Sequence, residues 1–140
     1  MKGKIYTTYF SKYLSSEKKS RINLAVVRFK PRWIDFAEEG LYYIPELSPS
    51  EELLSLYNEN KKSNKEHALA LFKIDFNVGM NHRPDMVSML KNVQSRLDGG
   101  IDVTLVCYEA DSKECHRSFI GEHFKDLGYA NVTTIESFTE

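Results

Sequence analysis

Two strands limit what this chain can fold into, one with consecutive apolar residues and one with a buried apolar centre. The first covers Ile22 to Phe29 and has Leu24-Ala25-Val26-Val27 at its centre. The second covers Ile101 to Tyr108, with Val103, Leu105 and Val106 inside it. A strand with one solvent-facing side alternates apolar and polar residues, so continuous apolarity indicates strands covered on both faces, as in parallel sheets.

The second of these strands belongs to a strand–helix–strand unit. A helix is predicted over Cys115 to Leu127, where Gly128 ends it, and a short strand follows over Val132 to Ile135. A crossover of this length joins parallel strands. Because 140 residues suit one domain, we predict a single three-layer α/β domain over 1–140, with a mainly parallel sheet flanked by helices.

The other elements are predicted with less uniform patterns. Ile5 to Phe10 is a strand, and Ser11 to Arg21 is a surface loop or short helix. Lys30 to Leu47 is predicted to be irregular because it contains two prolines. His67 to Phe76 fits either helix or strand. Pro84 opens a helix with apolar residues at 86, 89, 90, 93 and 97.

A further helix begins near Ser48 and runs to about Asn60. Ser48 is predicted to cap it, with Pro49 in the first turn and Glu51 at the capping-box position. Its buried residues are predicted to be Leu53, Leu54, Leu56 and Tyr57.

Charge and cysteine content exclude some protein classes. Twenty acidic side chains oppose nineteen basic ones, which argues against a sequence-independent DNA coat. Two cysteines are too few for a disulfide scaffold, and no apolar run has the length of a signal peptide core or membrane span. We therefore expect a cytoplasmic protein with no membrane partner, and no motif predicts a cofactor.

The chemistry-bearing residues cluster around one strand-to-helix turn. Cys107-Tyr108-Glu109 ends a buried strand, and Cys115-His116-Arg117 opens the next helix. In open parallel sheets, ligands bind beyond the carboxyl ends of the strands. A helix N-terminus with adjacent cationic side chains favours a thiolate and holds phosphate or carboxylate groups.

These positions predict a small enzyme with an anion-binding crevice. Cys115 would be the nucleophile or redox thiol, His116 would tune it or carry a proton, and Glu109 would be the acid/base or orienting group. The residues expected to bind or line the substrate site are Arg117, Arg28, Cys107, Tyr108 and Thr8. A phosphate-bearing ligand, either a nucleotide or a nucleic-acid end, suits two arginines and a helix start.

Structural roles compete with these assignments. Cys107 could be a small buried hydrophobe, and a disulfide between Cys107 and Cys115 is geometrically possible. The spacing of Cys107, Cys115 and His116 does not match that of structural zinc sites, so no metal is predicted. His82 and Arg83 are expected to be cap or surface residues.

The turn resembles the DUF488 family, which is marked by a strand ending Leu-Cys-Tyr-Glu, a short loop and a Cys-His-Arg helix start. The matching residues here are Leu105 to Glu109 and Cys115 to Arg117. Looser similarity includes Tyr6 to Phe10, the strand ending in Arg28, and the helix start at Leu47 to Pro49. The resemblance implies a compact α/β domain with its site at the Cys-His-Arg turn, and it implies no established activity.

Two other functions remain open on the sequence. The first is a binding module without turnover, which captures a nucleotide or uses the aromatic segment from Trp33 to Tyr43 to hold a protein. The second is a nucleic-acid-binding protein that uses Lys18, Lys19, Arg21, Lys30 and Arg32. The sequence does not predict the oligomeric state.

Overall fold

The computed structural model describes residues 1–15, 21–108 and 116–133. Its strands are β1 (Ile5–Tyr9), β2 (Ile22–Ala25), β3 (Leu41–Tyr43), β4 (Val103–Cys107) and β5 (Asn131–Thr133). Its helices are α1 (Phe10–Leu14), α2 (Phe36–Glu39), α3 (Glu51–Asn60), α4 (Lys65–His82), α5 (Pro84–Asp98) and α6 (His116–Asp126), with a 3₁₀ turn at Pro45–Leu47.

The five strands form one sheet in the order β3-β2-β4-β1-β5, and every described pairing is parallel. This confirms the predicted α/β class. β4 and β5, the two strands of the predicted crossover unit, run parallel to β1, which lies between them. The largely apolar sequences of β2 and β4 are typical of strands in a parallel sheet covered on both faces.

Alternate residues of the strands face two different helical layers. Ile22, Leu24 and Val103 share a cavity wall with Met89 and Val93 of α5. Asn23, between Ile22 and Leu24, instead donates to the Gly40 carbonyl just after α2. Because successive strand residues point to opposite faces, α2 and α5 cover opposite sides of the sheet. The result is the three-layer arrangement that the sequence predicts.

The region from Lys30 to Leu47 contains more regular structure than predicted. It holds α2, the short parallel strand β3 and the 3₁₀ turn. The Asp35 side chain caps α2 by accepting from the Glu38 amide, and Gly40 ends this helix in the left-handed conformation. These caps fix a four-residue helix that the two prolines concealed.

The cap of α3 was also predicted wrongly. Ser50, not Ser48, accepts from the Leu53 amide, while the Ser48 hydroxyl bonds the Pro45 carbonyl and is buried. No residue of α3 is fully buried, and Leu56 is half exposed. This helix packs on α4 rather than on the sheet, so it lies in the outer part of the domain.

The remaining boundaries are close to those predicted. β2 ends at Ala25 instead of Phe29, although the Val26 amide still donates to the Val106 carbonyl. The segment over 67–76 belongs entirely to α4, and α5 spans the predicted periodic stretch. Of the described helices, none is both long and apolar enough to cross a membrane.

Candidate functional site

A crevice opens where the carboxyl ends of β2 and β4 approach α3 and the start of α6. Its volume is about 400 Å³. Three of the residues predicted for the site, Arg28, Tyr108 and His116, lie on its wall. The other described lining residues are Val27, Phe29, Pro49, Glu51, Leu54, Ser55, Tyr57, Asn58, Lys61 and Phe72.

His116 is the first residue of α6 and joins that helix to the end of β2. Its Nε2 atom is hydrogen-bonded to the backbone carbonyl of Val26. A carbonyl can only accept, so Nε2 carries the proton of the neutral ring. The ring lies 5.5 Å from that of Phe76, centroid to centroid, and the residue is 8% exposed.

Burial lowers the pKa of His116 to about 4, and the charges of Arg117 and Arg28 act in the same direction. The Val26 carbonyl raises this pKa, but its effect is smaller than that of burial. The ring is therefore neutral at pH 7. The sequence suggested that a charged imidazolium would stabilise a neighbouring thiolate. Because the ring is neutral, His116 cannot supply that charge.

Arg28 follows β2 and lies half buried at the crevice wall. Its Nε donates to the Pro49 carbonyl at 3.1 Å, and one terminal nitrogen donates to the Ser48 carbonyl at 3.5 Å. The Tyr43 hydroxyl donates to the Arg28 carbonyl and secures its backbone. Arg28 thus fixes the loop before α3 while its charge stays beside the crevice.

Arg117 points away from the crevice residues, toward the end of β4. It is 2% exposed, and its Nη1 lies 3.4 Å from the Cys107 sulfur. Its guanidinium carbon is 5.9 Å from the centre of the Tyr9 ring. This side chain is placed to act on Cys107 rather than to meet a ligand directly.

Cys107 is fully buried and disulfide-bonded. The sequence contains one other cysteine, Cys115. Cys115 and Glu109 both lie outside the described residues, so their roles stay predictions from the sequence.

Thr8 lies near the same sheet edge, opposite Val106 in the register of β1 and β4. Its neighbour Tyr9 contacts Arg117 of α6, so Thr8 points to the other face of the sheet. Its hydroxyl is buried and finds no hydrogen-bond partner among the described residues. The structure therefore separates Thr8 from His116.

Lys61, Tyr57 and Phe29 line the crevice without having been predicted as site residues. Lys61 follows α3, and its Nζ lies 5.3 Å from the Tyr57 ring centroid. The sequence gives the amphipathic pattern of α3, but it does not say that this helix closes the crevice. The packing of α3 on α4 brings Tyr57 and Lys61 to this crevice, whereas Phe29 reaches it from the end of β2.

Of the five basic residues proposed for nucleic-acid binding, the structure describes Arg21, Lys30 and Arg32. Lys18 and Lys19 lie outside the described residues. Arg21 stacks on Tyr6, with its guanidinium carbon 3.6 Å from the ring centroid, whereas Lys30 and Arg32 are exposed. Arg83 binds the Ser48 carbonyl at 2.8 Å and pairs with Asp85, which fits its expected structural role, and His82 is exposed.

Metal ligands do not cluster in the described part of the chain. Within 1–15, 21–108 and 116–133, no three His, Cys, Asp or Glu side chains are grouped closely enough to hold an ion.

A family model, described as the active DUF488-N3 subclade, matches residues 7–128. The chain belongs to the DUF488 family. In this DUF488 protein the matched span starts inside β1 and ends after α6, so it includes all the described residues of the crevice. The comparison with curated proteins found no match, and neither did the comparison with solved structures.

Proposed function

We propose that this DUF488 protein is a small enzyme that binds a phosphate-bearing substrate, a nucleotide or the end of a nucleic acid, in the crevice beside α6. The observation that supports this most is the presence of Arg28, Lys61 and the first residue of α6 on one cavity wall. A helix start carries about half a positive charge, which adds to the two cationic side chains. Glu51 is the one carboxylate among the described lining residues.

The neutral state of His116 determines which residue can act as the base in this site. A base with a pKa of about 4 is too weak to take a thiol proton at neutral pH. We assign His116 a positioning role, because it holds the start of α6 against the Val26 carbonyl. Glu109 is then the acid/base group; it enters the proposal on its sequence position alone.

Cys115 precedes His116 and is the proposed nucleophile, also on sequence position. Cys107 is disulfide-bonded, so the active form in this proposal is the reduced one, in which both cysteines are thiols. In that form the guanidinium of Arg117 lies beside the Cys107 sulfur and favours its thiolate.

Ligand binding is tested with two neighbouring lysines. Lys61 lines the crevice, whereas the exposed Lys62 pairs with Glu59 at 3.2 Å. Calorimetric titration of a nucleoside monophosphate should show K61Q binding about two- to fivefold more weakly than wild type, with K62Q unchanged. Equal affinities for all three proteins would contradict the placement of the phosphate.

Catalysis is tested separately, with reduced protein and a pool of nucleotides and phosphorylated oligonucleotides. The products are followed by mass spectrometry. We expect turnover by wild type, and loss of turnover with retained binding in C115S. Turnover by C115S at the wild-type rate would remove Cys115 from the mechanism, and tight binding with no product in wild type would establish a binding module instead.

A further inference from the structure

Exposed aromatic and basic side chains occur together in the loop directly after Arg28. We define the 29–33 loop as Phe29 to Trp33. Phe29 is 61% exposed and Trp33 is 66% exposed, and the two cations between them, Lys30 and Arg32, are also exposed. Large aromatic rings usually lie inside a domain, so two exposed rings within five residues need a reason.

The loop is also locally positive, although the whole chain has a formal charge of −1. Arg28 precedes the loop, and no aspartate or glutamate occurs between Val26 and Ile34. Three cations therefore stand together without a neighbouring carboxylate in sequence. This charge favours an anionic partner, and the exposed rings favour one with flat apolar faces.

We infer that the 29–33 loop binds single-stranded nucleic acid, whose terminal phosphate lies in the crevice next to Arg28. This inference rests on the proposed function and names its substrate class. Bases stack on exposed aromatic rings while cationic side chains follow the backbone, which is how proteins hold single strands. A duplex buries its base faces and cannot use these rings.

The loop continues the crevice without a break. Phe29 lines the cavity, and its carbonyl accepts from the Tyr108 hydroxyl at 2.8 Å. Tyr108 lines the same cavity and is 47% exposed. A strand entering the crevice would therefore pass Phe29 and Tyr108 before reaching Arg28.

Buried neighbours hold the loop in one shape. Pro31 and Ile34 are buried, and Asp35 caps α2 immediately afterwards. The rings are thus presented by an anchored segment, so stacking need not order a free chain. Trp33 follows Phe29 by four residues, which limits their Cα separation to about 14 Å. At about 3.4 Å per stacked nucleotide, this upper limit allows at most about four nucleotides between the two rings.

Trp33 is the chain's single tryptophan, so its fluorescence reports on this loop. The main probe is a single-stranded thymidine oligonucleotide of about six nucleotides with a 5′-phosphate. It is compared with thymidine monophosphate and with three other forms of the oligonucleotide, which are 3′-phosphorylated, unphosphorylated or in a duplex. The phosphorylated single strand should quench Trp33 and bind at least about tenfold more tightly than the mononucleotide. The duplex should bind no better than the mononucleotide.

Two exposed aromatic residues provide matched variants. W33A should lose about tenfold in affinity for the single strand and nothing for the mononucleotide. Tyr42, which is 62% exposed on β3, provides the control, and Y42A should bind both probes as wild type does. Because W33A has no tryptophan, its affinity is measured by the fluorescence anisotropy of a labelled oligonucleotide.

Salt dependence tests the cations independently. With three cations at the backbone, the affinity for the single strand should fall with a log–log slope of about −2, and R32Q should reduce that slope by about 0.7.

The outcomes separate this inference from the proposed function. If the mononucleotide binds and the single strand gains neither affinity nor Trp33 quenching, the loop inference is wrong and the proposed crevice stands. The strand could instead quench Trp33 while its affinity is unchanged by K61Q and by removal of the terminal phosphate. In that case the loop binds nucleic acid, and the placement of the phosphate in the crevice is wrong. If no probe binds, both are wrong.

Discussion

Acidification should destabilise the protein through His116. The folded state holds this ring neutral because burial lowers its pKa to about 4, whereas the ordinary value is 6.5. An unfolded chain therefore binds a proton at a pH where the folded chain does not. A histidine with a lowered folded pKa contributes stability above the unfolded value, and this contribution is lost as the pH falls from 6.5 toward 4.

The size of the effect follows from the difference between the two values. A difference of 2.5 units between 6.5 and about 4 corresponds to about 3 kcal/mol of unfolding free energy. About 2 kcal/mol of this should already be lost at pH 5. Since a domain of this size is stable by only about 5–15 kcal/mol, the loss is readily measured.

The assay is urea unfolding at pH 7.5, 6, 5 and 4.5, with wild type compared with H116Q. Glutamine donates an N–H to the Val26 carbonyl but does not titrate, so the variant should lose about 2 kcal/mol less than wild type between pH 7.5 and pH 5. H67Q, which changes an exposed histidine of α4, is the matched control. Burial also lowers the pKa of His123, so H116Q should keep some acid sensitivity.

The reasoning is refuted if wild type and H116Q lose stability in parallel. That result would mean that His116 titrates alike in the folded and unfolded chains. Nuclear magnetic resonance of the histidine ring protons gives a second measurement. A His116 signal that titrates near pH 6.5 in the folded protein would lead to the same conclusion.

Two further predictions concern a backbone contact and the Cys107 sulfur. A Cβ on Gly3 would lie 2.1 Å from the Ile101 carbonyl oxygen, so Gly3→Ala should lower the unfolding free energy measured in urea by about 1–3 kcal/mol, while Gly99→Ala, with no contact closer than 3.4 Å, should change it by less than about 1 kcal/mol; equal unfolding free energies would contradict the close approach. In reduced protein, Arg117→Gln should slow the alkylation of Cys107 under mild urea, because it removes the cation 3.4 Å from the sulfur, and Arg117→Lys should keep the wild-type rate; identical rates for all three proteins would show that the guanidinium does not act on the sulfur.

Much of the fold could be predicted because each major element has a strong local pattern. The largely apolar sequences of β2 and β4 reflect the coverage of both faces of the sheet, and the stripe of α5 reflects its one buried face. α4 was ambiguous for a physical reason. Its buried Phe72 and Phe76 are interleaved with exposed apolar residues, so the helical period is masked; those residues are Leu71, Ile74 and Val78.

β3 could not be predicted for the opposite reason. It has three residues, and its pairing with β2 is a tertiary contact that no local pattern encodes. The cap of α3 is likewise determined by tertiary contacts. Ser48 and Ser50 are both good caps in sequence, but Ser48 is held inside by Arg83 and the Pro45 carbonyl, which leaves Ser50 to meet the helix.

For the candidate site, the sequence predicted three residues that share one cavity wall, and it did not predict the protonation state of His116. Arg28, Tyr108 and His116 do meet at the carboxyl edge of the sheet, because parallel strands end there together. The burial of His116 against Phe76 comes from the packing of α4 on α6, elements separated by β4 and α5 along the chain. Only that packing makes the ring neutral.

One hydrogen bond therefore links the fold to the proposed chemistry. The contact from His116 to the Val26 carbonyl ties the start of α6 to the residues between β2 and Arg28. Protonating His116 places a positive charge in a buried position beside Arg28 and Arg117. Both the burial and the repulsion from these two cations oppose the protonated state. Folding stability should thus fall along this acid limb. A phosphate ligand would partly offset that charge, so it should protect the folded protein more strongly at pH 5 than at pH 7.5.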